Sequence, residues 1–283
     1  MATCEACGRS SGLISEAIGA CLECLRSGHP EALAVAQARR RAARRRFGLP
    51  EEIPRDAYGA TCDRCANACR LAPSAVGYCG VRAAAGSSVV AFPDAGAAAV
   101  EWYLDPLPTN CVAAWACAAS GAGYPRYAHS PTGDRGYFNL AVFYNGCNFD
   151  CAFCQNWHHR YRRARPRTIE DLGEAGADPR VACICFFGGD PAPHSDHALG
   201  AARLALEKRR SGILRVCWET NGAMSPRILR EMMEISRATG GTIKFDLKAW
   251  SEPLHIALCG VSNRRTLQNF QVLAEAAGQD EPP

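Results

Sequence analysis

The chain lacks the charged stretch and following apolar stretch of a secretory leader, and no apolar run approaches the ~18 residues that a membrane span requires. It reads as a cytoplasmic globular protein, in which thiols stay reduced. Its 17 cysteines therefore point to metal binding rather than to disulfides. Large net charge is lacking too: the balance is +4, and six arginines fall in one run, "RRRAARRRFG" from Arg39 to Gly48. The stretch from Glu31 to Arg46 predicts a helix. No aromatic residue is interleaved there to stack on bases, which favours a solvated helix over a nucleic-acid contact. With 283 residues and 48% hydrophobic composition, the chain can bury a sizeable core, as one large domain or one domain with small appendages.

Cysteine spacing divides what is present. Residues 1–30 hold Cys4-x2-Cys7 and Cys21-x2-Cys24, two knuckle-like pairs that predict a structural zinc site of four thiolates, followed by the Arg/Ala-rich helical linker of residues 31–60. Residues 61–136 hold "CDRCANACRLAPSAVGYCGVR", in which Cys62, Cys65, Cys69 and Cys79 predict a second closed metal site; spacing leaves zinc and iron–sulfur both open. Cys111 and Cys117 frame an apolar "VAAWA" and read as buried small hydrophobes at least as well as ligands.

Residues 137–283 carry a repeating order. "YFNLAVFY", "RVACICFF", "ILRVCWE" and "GTIKFDLKAW" read as strands buried on both faces, and "DHALGAARLALEKRRSG", "SPRILREMMEISRATGG" and "NRRTLQNFQVLAEAAG" read as helices. Ser225-Pro226 marks a helix start, and Gly212 and Gly240 mark stops. The alternation predicts an α/β fold: a partial (β/α) barrel of parallel strands, about four βα units, its site at the C-terminal strand ends. The chemistry-bearing residues fall there. After the first strand comes "GCNFDCAFCQNW", with Cys147, Cys151 and Cys154 but no fourth cysteine nearby, since Cys183 and Cys185 lie within the next strand. After the second comes Gly188-Gly189-Asp190-Pro191, and after the third Glu219-Thr220-Asn221-Gly222; Asp246 and Lys248 close the fourth.

Cys147-x3-Cys151-x2-Cys154 with Phe153 before the last cysteine resembles the signature of radical S-adenosylmethionine (radical SAM) enzymes. "GGDP", "ETNG" and "IKFDLKAW" narrow the resemblance to relatives of the pyruvate formate-lyase activating enzyme, and "CDRCANAC", "GYCGVR" and "CQNW" to a branch with a cysteine-rich segment before the barrel. The resemblance implies a [4Fe–4S] cluster on the three cysteines, its fourth iron left for the methionine end of SAM. It further implies that Gly188 and Gly189 let the backbone approach the ligand, and that Asp190, where the family more often has Glu, holds the SAM ammonium. Asp246 and Lys248 would meet the ribose and methionine groups, and Glu219, Thr220 and Asn221 form a loop touching SAM. Phe153 would face the adenine while Asn156 and Trp157 shield the cluster. His194 and His255, near the site's mouth, read more readily as packing residues.

An electron donor such as flavodoxin or ferredoxin and a protein or small-molecule substrate are implied, with no membrane and no nucleic acid as partners. The relatives build six βα units and four are read here, so the wall beside the adenosyl group is expected to be incomplete or supplied by a partner. Three functions follow as expectations: an oxidoreductase of the activating-enzyme kind that installs a glycyl radical on a protein, a radical SAM enzyme acting on another peptide or small molecule, and a non-catalytic iron–sulfur or zinc scaffold.

Overall fold

A computed structural model describes residues 1–92, 96–109, 113–209 and 211–277. Cys111 and the "GQDEPP" tail fall outside them. Three short antiparallel pairs organise the first third of the chain: β1 (Ala2–Thr3) with β2 (Ser10–Ser11), β3 (Ala60–Thr61) with β4 (Arg70–Leu71), and β5 (Arg82–Ala85) with β6 (Ser88–Ala91). Helix α1 (Leu22–Arg26) carries Cys24, and α2 (Pro30–Arg46) starts with proline at its first turn and ends with Arg44, Arg45 and Arg46, favourable for the helix dipole.

The rest is built on a six-stranded sheet. Four strands are the ones the apolar runs predicted: β8 (Phe138–Tyr144), β10 (Val181–Phe187), β11 (Arg215–Thr220) and β12 (Ile243–Phe245), all parallel to one another. Two were not foreseen, β7 (Ala97–Pro106) and β9 (Pro166–Thr168), and both pair antiparallel, giving the order β12-β11-β10-β8-β7-β9. The sheet is mixed, edged by β12 and β9: the expected α/β arrangement of parallel strands is present and is extended by an antiparallel flank.

Both faces of the parallel strands are covered, which is why their sequences read as continuous apolar runs. On one face Tyr144, Phe186 and Trp218 stack across β8, β10 and β11, with ring centroids 6.2 and 4.5 Å apart. Helices α3 (Ile169–Gly176), α4 (Ser195–Lys208) and α5 (Pro226–Thr239) supply much of the rest of that core through Leu172, Ala198, Ala202, Ile228 and Met232. On the other face Cys183, Cys185 and Cys217 pack with Leu107, Cys117 and Ala119 from the segment that follows β7, so Cys117 is the buried small hydrophobe that its surroundings suggested. A buried ion pair, Arg215 to Asp134 at 2.8 Å, ties that segment to β11. Gly240 ends α5 in the left-handed region, whereas α4 ends at Lys208, before Gly212. Two further helices, α6 (Glu252–Cys259) and α7 (Arg264–Ala277), follow β12; no described helix is long and apolar enough to cross a membrane.

Candidate active site

The C-terminal ends of the four parallel strands open into a cavity of about 590 Å³, within the range of ligand-sized pockets. Its lining brings together most of the residues expected from the sequence: Cys147, Cys151, Phe153, Cys154 and Asn156 from the loop after β8, Gly188, Gly189 and Asp190 after β10, Glu219, Thr220 and Asn221 at the end of β11, and Asp246 and Lys248 after β12. Trp157 is outside this lining and stacks on His158, centroids 4.1 Å apart. Phe187, Lys244 and Phe245 line the cavity without having been singled out.

The cysteine loop leaves β8 through Gly146, whose φ of 83° is left-handed. Gly189 shows why the second loop also needs glycine: a Cβ there would sit 2.3 Å from the Gly146 carbonyl oxygen and 2.4 Å from that of Tyr144. The close approach made by Gly189 is therefore to the backbone of the cysteine loop. All three cysteines line the cavity. Burial first, then Asp190 and Cys151, push Cys147 well above the ordinary thiol range, and burial raises Cys154. Cys151 is drawn down instead, by the thiol of Cys259 3.6 Å away. Donors face the Cys147 sulfur from the Phe149 amide at 3.4 Å and the Asn221 side chain at 3.8 Å. Three soft ligands lining one cavity fit a cluster that keeps one iron for an incoming ligand.

Asp190 is buried and its carboxylate already accepts from the Ala192 amide (2.9 Å), the Thr220 hydroxyl (2.9 Å) and the Asn221 amide (2.8 Å). About four acceptor sites exist on a carboxylate, so one remains. Burial raises it to about 6. Glu219 and Lys244 pair at 2.5 Å across β11 and β12, and Asp246 pairs with Lys248. Asp246 and Lys248 lie beyond the end of β12; the Asp246 amide makes one last bond to the Thr220 carbonyl at 2.8 Å.

The two histidines are packing residues. The ring of His194 bonds the Asn145 carbonyl at 2.7 Å and stacks on Tyr144, while that of His255 bonds the Val261 carbonyl at 2.8 Å and stands edge-on to Phe149.

Support for the site comes from Asn148, Thr266, Asn269 and Asn67, which the sequence did not flag. Asn148 and Asn221 bond side chain to side chain at 2.7 Å, Thr266 and Asn269 of α7 hold the Asn221 and Gly222 carbonyls, and Asn67 of the cysteine-rich segment bonds the Asn148 carbonyl at 2.7 Å. The Arg-rich helix α2 is solvated along Arg39, Arg45 and Arg46, but Arg40 and Arg44 correct that picture. Both are buried, Arg40 donating to the Ile256 and Ala257 carbonyls of α6 (3.0 and 2.6 Å), Arg44 to that of Tyr78. With Arg160 at 2.7 Å, and at the longer distances of 3.7 and 3.8 Å, they surround Asp150, the residue before Cys151.

Cys4, Cys7, Cys21 and Cys24 have ligand atoms all within 4.8 Å of one another, the one such group among the described residues. A zinc ion with Zn–S bonds of about 2.3 Å would draw four sulfurs to roughly 3.8 Å apart, so the set is close to that size. Burial works to raise Cys4, but backbone donors, Cys21 first, bring it down to about 6, while the neighbouring thiols, Cys21 first, push Cys24 up to about 12. The set shares protons that a cation would displace. Cys62, Cys65, Cys69 and Cys79 also perturb one another: burial, then Cys79, raises Cys65 well above the thiol range. Their sulfurs are spread more widely than those of the first set.

Residues 141–279 match the family model described as the Radical SAM superfamily. Over 140 residues the chain is 27% identical to the pyruvate formate-lyase 1-activating enzymes of Escherichia coli (strain K12) and Shigella flexneri, covering 47% of this chain and 54% of each relative. The chain thus spans about half the length of the curated relatives it matches. Similarity and site agree: residues 141–279 match a radical SAM domain, and over about half of its length the chain is similar to pyruvate formate-lyase activating enzymes.

Proposed function

We propose that Cys147, Cys151 and Cys154 hold a [4Fe–4S] cluster, that the adjoining cavity binds SAM, and that the chain is an enzyme generating a radical for hydrogen abstraction, with a glycyl radical on a protein partner as its product. One observation carries this reading: three thiols from one eight-residue span share a cavity with the C-terminal ends of four parallel strands. When bound, the cluster supplies the electron that splits SAM into methionine and a 5′-deoxyadenosyl radical.

The chain's residues do the rest. Asp190 offers its remaining acceptor site to the ammonium, and Lys248, its ammonium form favoured by Asp246 against the effect of burial, faces an anionic carboxylate or ribose oxygens. Phe153, half exposed at the rim, gives the adenine an apolar face. Anaerobic reconstitution followed by chromatography for 5′-deoxyadenosine tests the reading. Cluster incorporation without SAM cleavage would sink the enzymatic part and leave the scaffold.

The cysteine-rich segment favours a second reading of the substrate, another peptide or a small molecule. The carbonyl of Cys79 lies 2.9 Å from where a Cβ of Gly146 would stand, so the second four-cysteine set abuts the cluster loop. We infer that its wider spacing suits a second iron–sulfur cluster, and that zinc occupies the Cys4 set. An iron count of about four per chain, rather than about eight, would remove this second cluster.

A further inference from the structure

We infer that Cys259, at the end of α6, is a positioning residue whose thiol donates a hydrogen bond to the Cys151 sulfur and thereby sets the reduction potential of the cluster. The inference rests on the reading that Cys151 is a cluster ligand.

The placement of Cys259 is fixed from several sides. Its Sγ lies 3.6 Å from that of Cys151, and the residue is completely buried. Two backbone bonds register the cysteine loop against the helix end: the Asp150 amide donates to the Cys259 carbonyl and the Ala152 amide to the Leu258 carbonyl, each at 2.9 Å. Cys151 lies between those two amides. Arg40 holds the preceding carbonyls of the helix, and Gly260, at φ 81°, stops it. The pair is thus a product of main-chain registration and does not depend on free rotation of two side chains.

Chemistry settles the direction of the bond. A cysteine bound to iron has given up its proton, so only Cys259 can donate. A hydrogen bond to a ligand sulfur withdraws electron density and favours the reduced cluster, raising its potential. Within the triplet the donors differ: Cys147 faces two N–H groups, and Cys151 faces this thiol.

The test uses the full anaerobic chain and the variants Cys259→Val and Cys259→Ser, each assayed for iron and sulfide and then titrated by spectroelectrochemistry. Valine fills the space without donating; serine keeps a donor. We expect equal iron in all three, a more negative midpoint potential for Cys259→Val, and a value nearer the wild type for Cys259→Ser. A tenfold loss of preference for the reduced form reads as about 59 mV for one electron. An unchanged potential in Cys259→Val overturns the inference, and so does loss of iron in that variant, which would make Cys259 a ligand. A wild-type chain that takes up no cluster refutes the reading beneath, which is a different result.

Discussion

Asp150 sits beneath the cluster loop with three guanidiniums around it, and replacing it with alanine should destabilise the chain measurably. Its carboxylate is almost fully buried, as are Arg40 and Arg44, so the cations cannot turn to water when the anion is removed. Breaking a buried pair from one side costs about 3–5 kcal/mol. The low end applies here, because every guanidinium keeps carbonyl partners: Ile256 and Ala257 for Arg40, Pro50 and Tyr78 for Arg44, and Cys151 for Arg160. Only the Arg160 contact, at 2.7 Å, is a full charge-assisted hydrogen bond. We therefore expect about 3 kcal/mol, which at roughly 2–4 °C per kcal/mol is a fall in Tm of about 6–12 °C. Circular dichroism melts of anaerobic wild type, Asp150→Ala and Asp150→Asn supply the measurement. The asparagine, which keeps an acceptor for Arg160, should fall between the other two. A melt of Asp150→Ala within about 2 °C of the wild type, less than the shift from 1 kcal/mol, would refute the idea that α2 braces the cluster loop through this charge.

Three further outcomes are expected. Because burial lifts Asp190 to about 6, SAM affinity measured by equilibrium dialysis should weaken as pH falls through that value and the carboxylate is neutralised, and Asp190→Asn should abolish the dependence; the same raised value means that the unliganded fold loses stability as pH rises from the ordinary 3.8 through about 6. Gly189→Ala should cost far more than Gly212→Ala: both have left-handed φ, but the first would meet backbone oxygen at 2.3 Å and the second only the Arg209 side chain at 3.7 Å, so loss of iron uptake is expected for Gly189→Ala alone and equal uptake would contradict it. Cys7→Ser should remove the zinc bound by the Cys4 set while leaving iron at the triplet, read by elemental analysis; zinc retained in full would place it elsewhere.

The four parallel strands could be read from the sequence because burial on both faces makes each a run of apolar residues with a polar, glycine-bearing end. That same arrangement put the motif residues at one end of one sheet. The antiparallel strand β7 escaped because half of it, from Glu101 onward, is exposed at the flank and alternates little. Two short helices were missed despite carrying signals. Helix α3 opens with a capping box, Thr168 and Asp171 exchanging side-chain and backbone bonds at 3.2 and 3.0 Å. Helix α6 has Ser251 before it, Pro253 in its first turn and Gly260 at its end. Eight residues each, they were too short for their apolar periodicity to stand out beside a strand.

What no periodicity reveals is a bond between a side chain and a distant carbonyl. Arg40 reaches Ile256, Asn67 reaches Asn148 and Asn269 reaches Gly222, and in each case the acceptor is backbone, whose identity leaves no mark in the sequence. Helix α2 does contain one clue. Ala32, Ala36, Arg40 and Arg44 recur every fourth residue and are the buried face of the helix. The small residues let α2 pack closely on α6, and arginine at the next two positions of the same face places two cations where water cannot serve them. Burying a guanidinium is costly unless its donors are met. The spacing alone therefore implied acceptors on whatever packs against the C-terminal half of α2, and those acceptors are the end of α6, the Pro50 and Tyr78 carbonyls and Asp150; of these, the end of α6 and Asp150 belong to the two segments that hold Cys259 against Cys151.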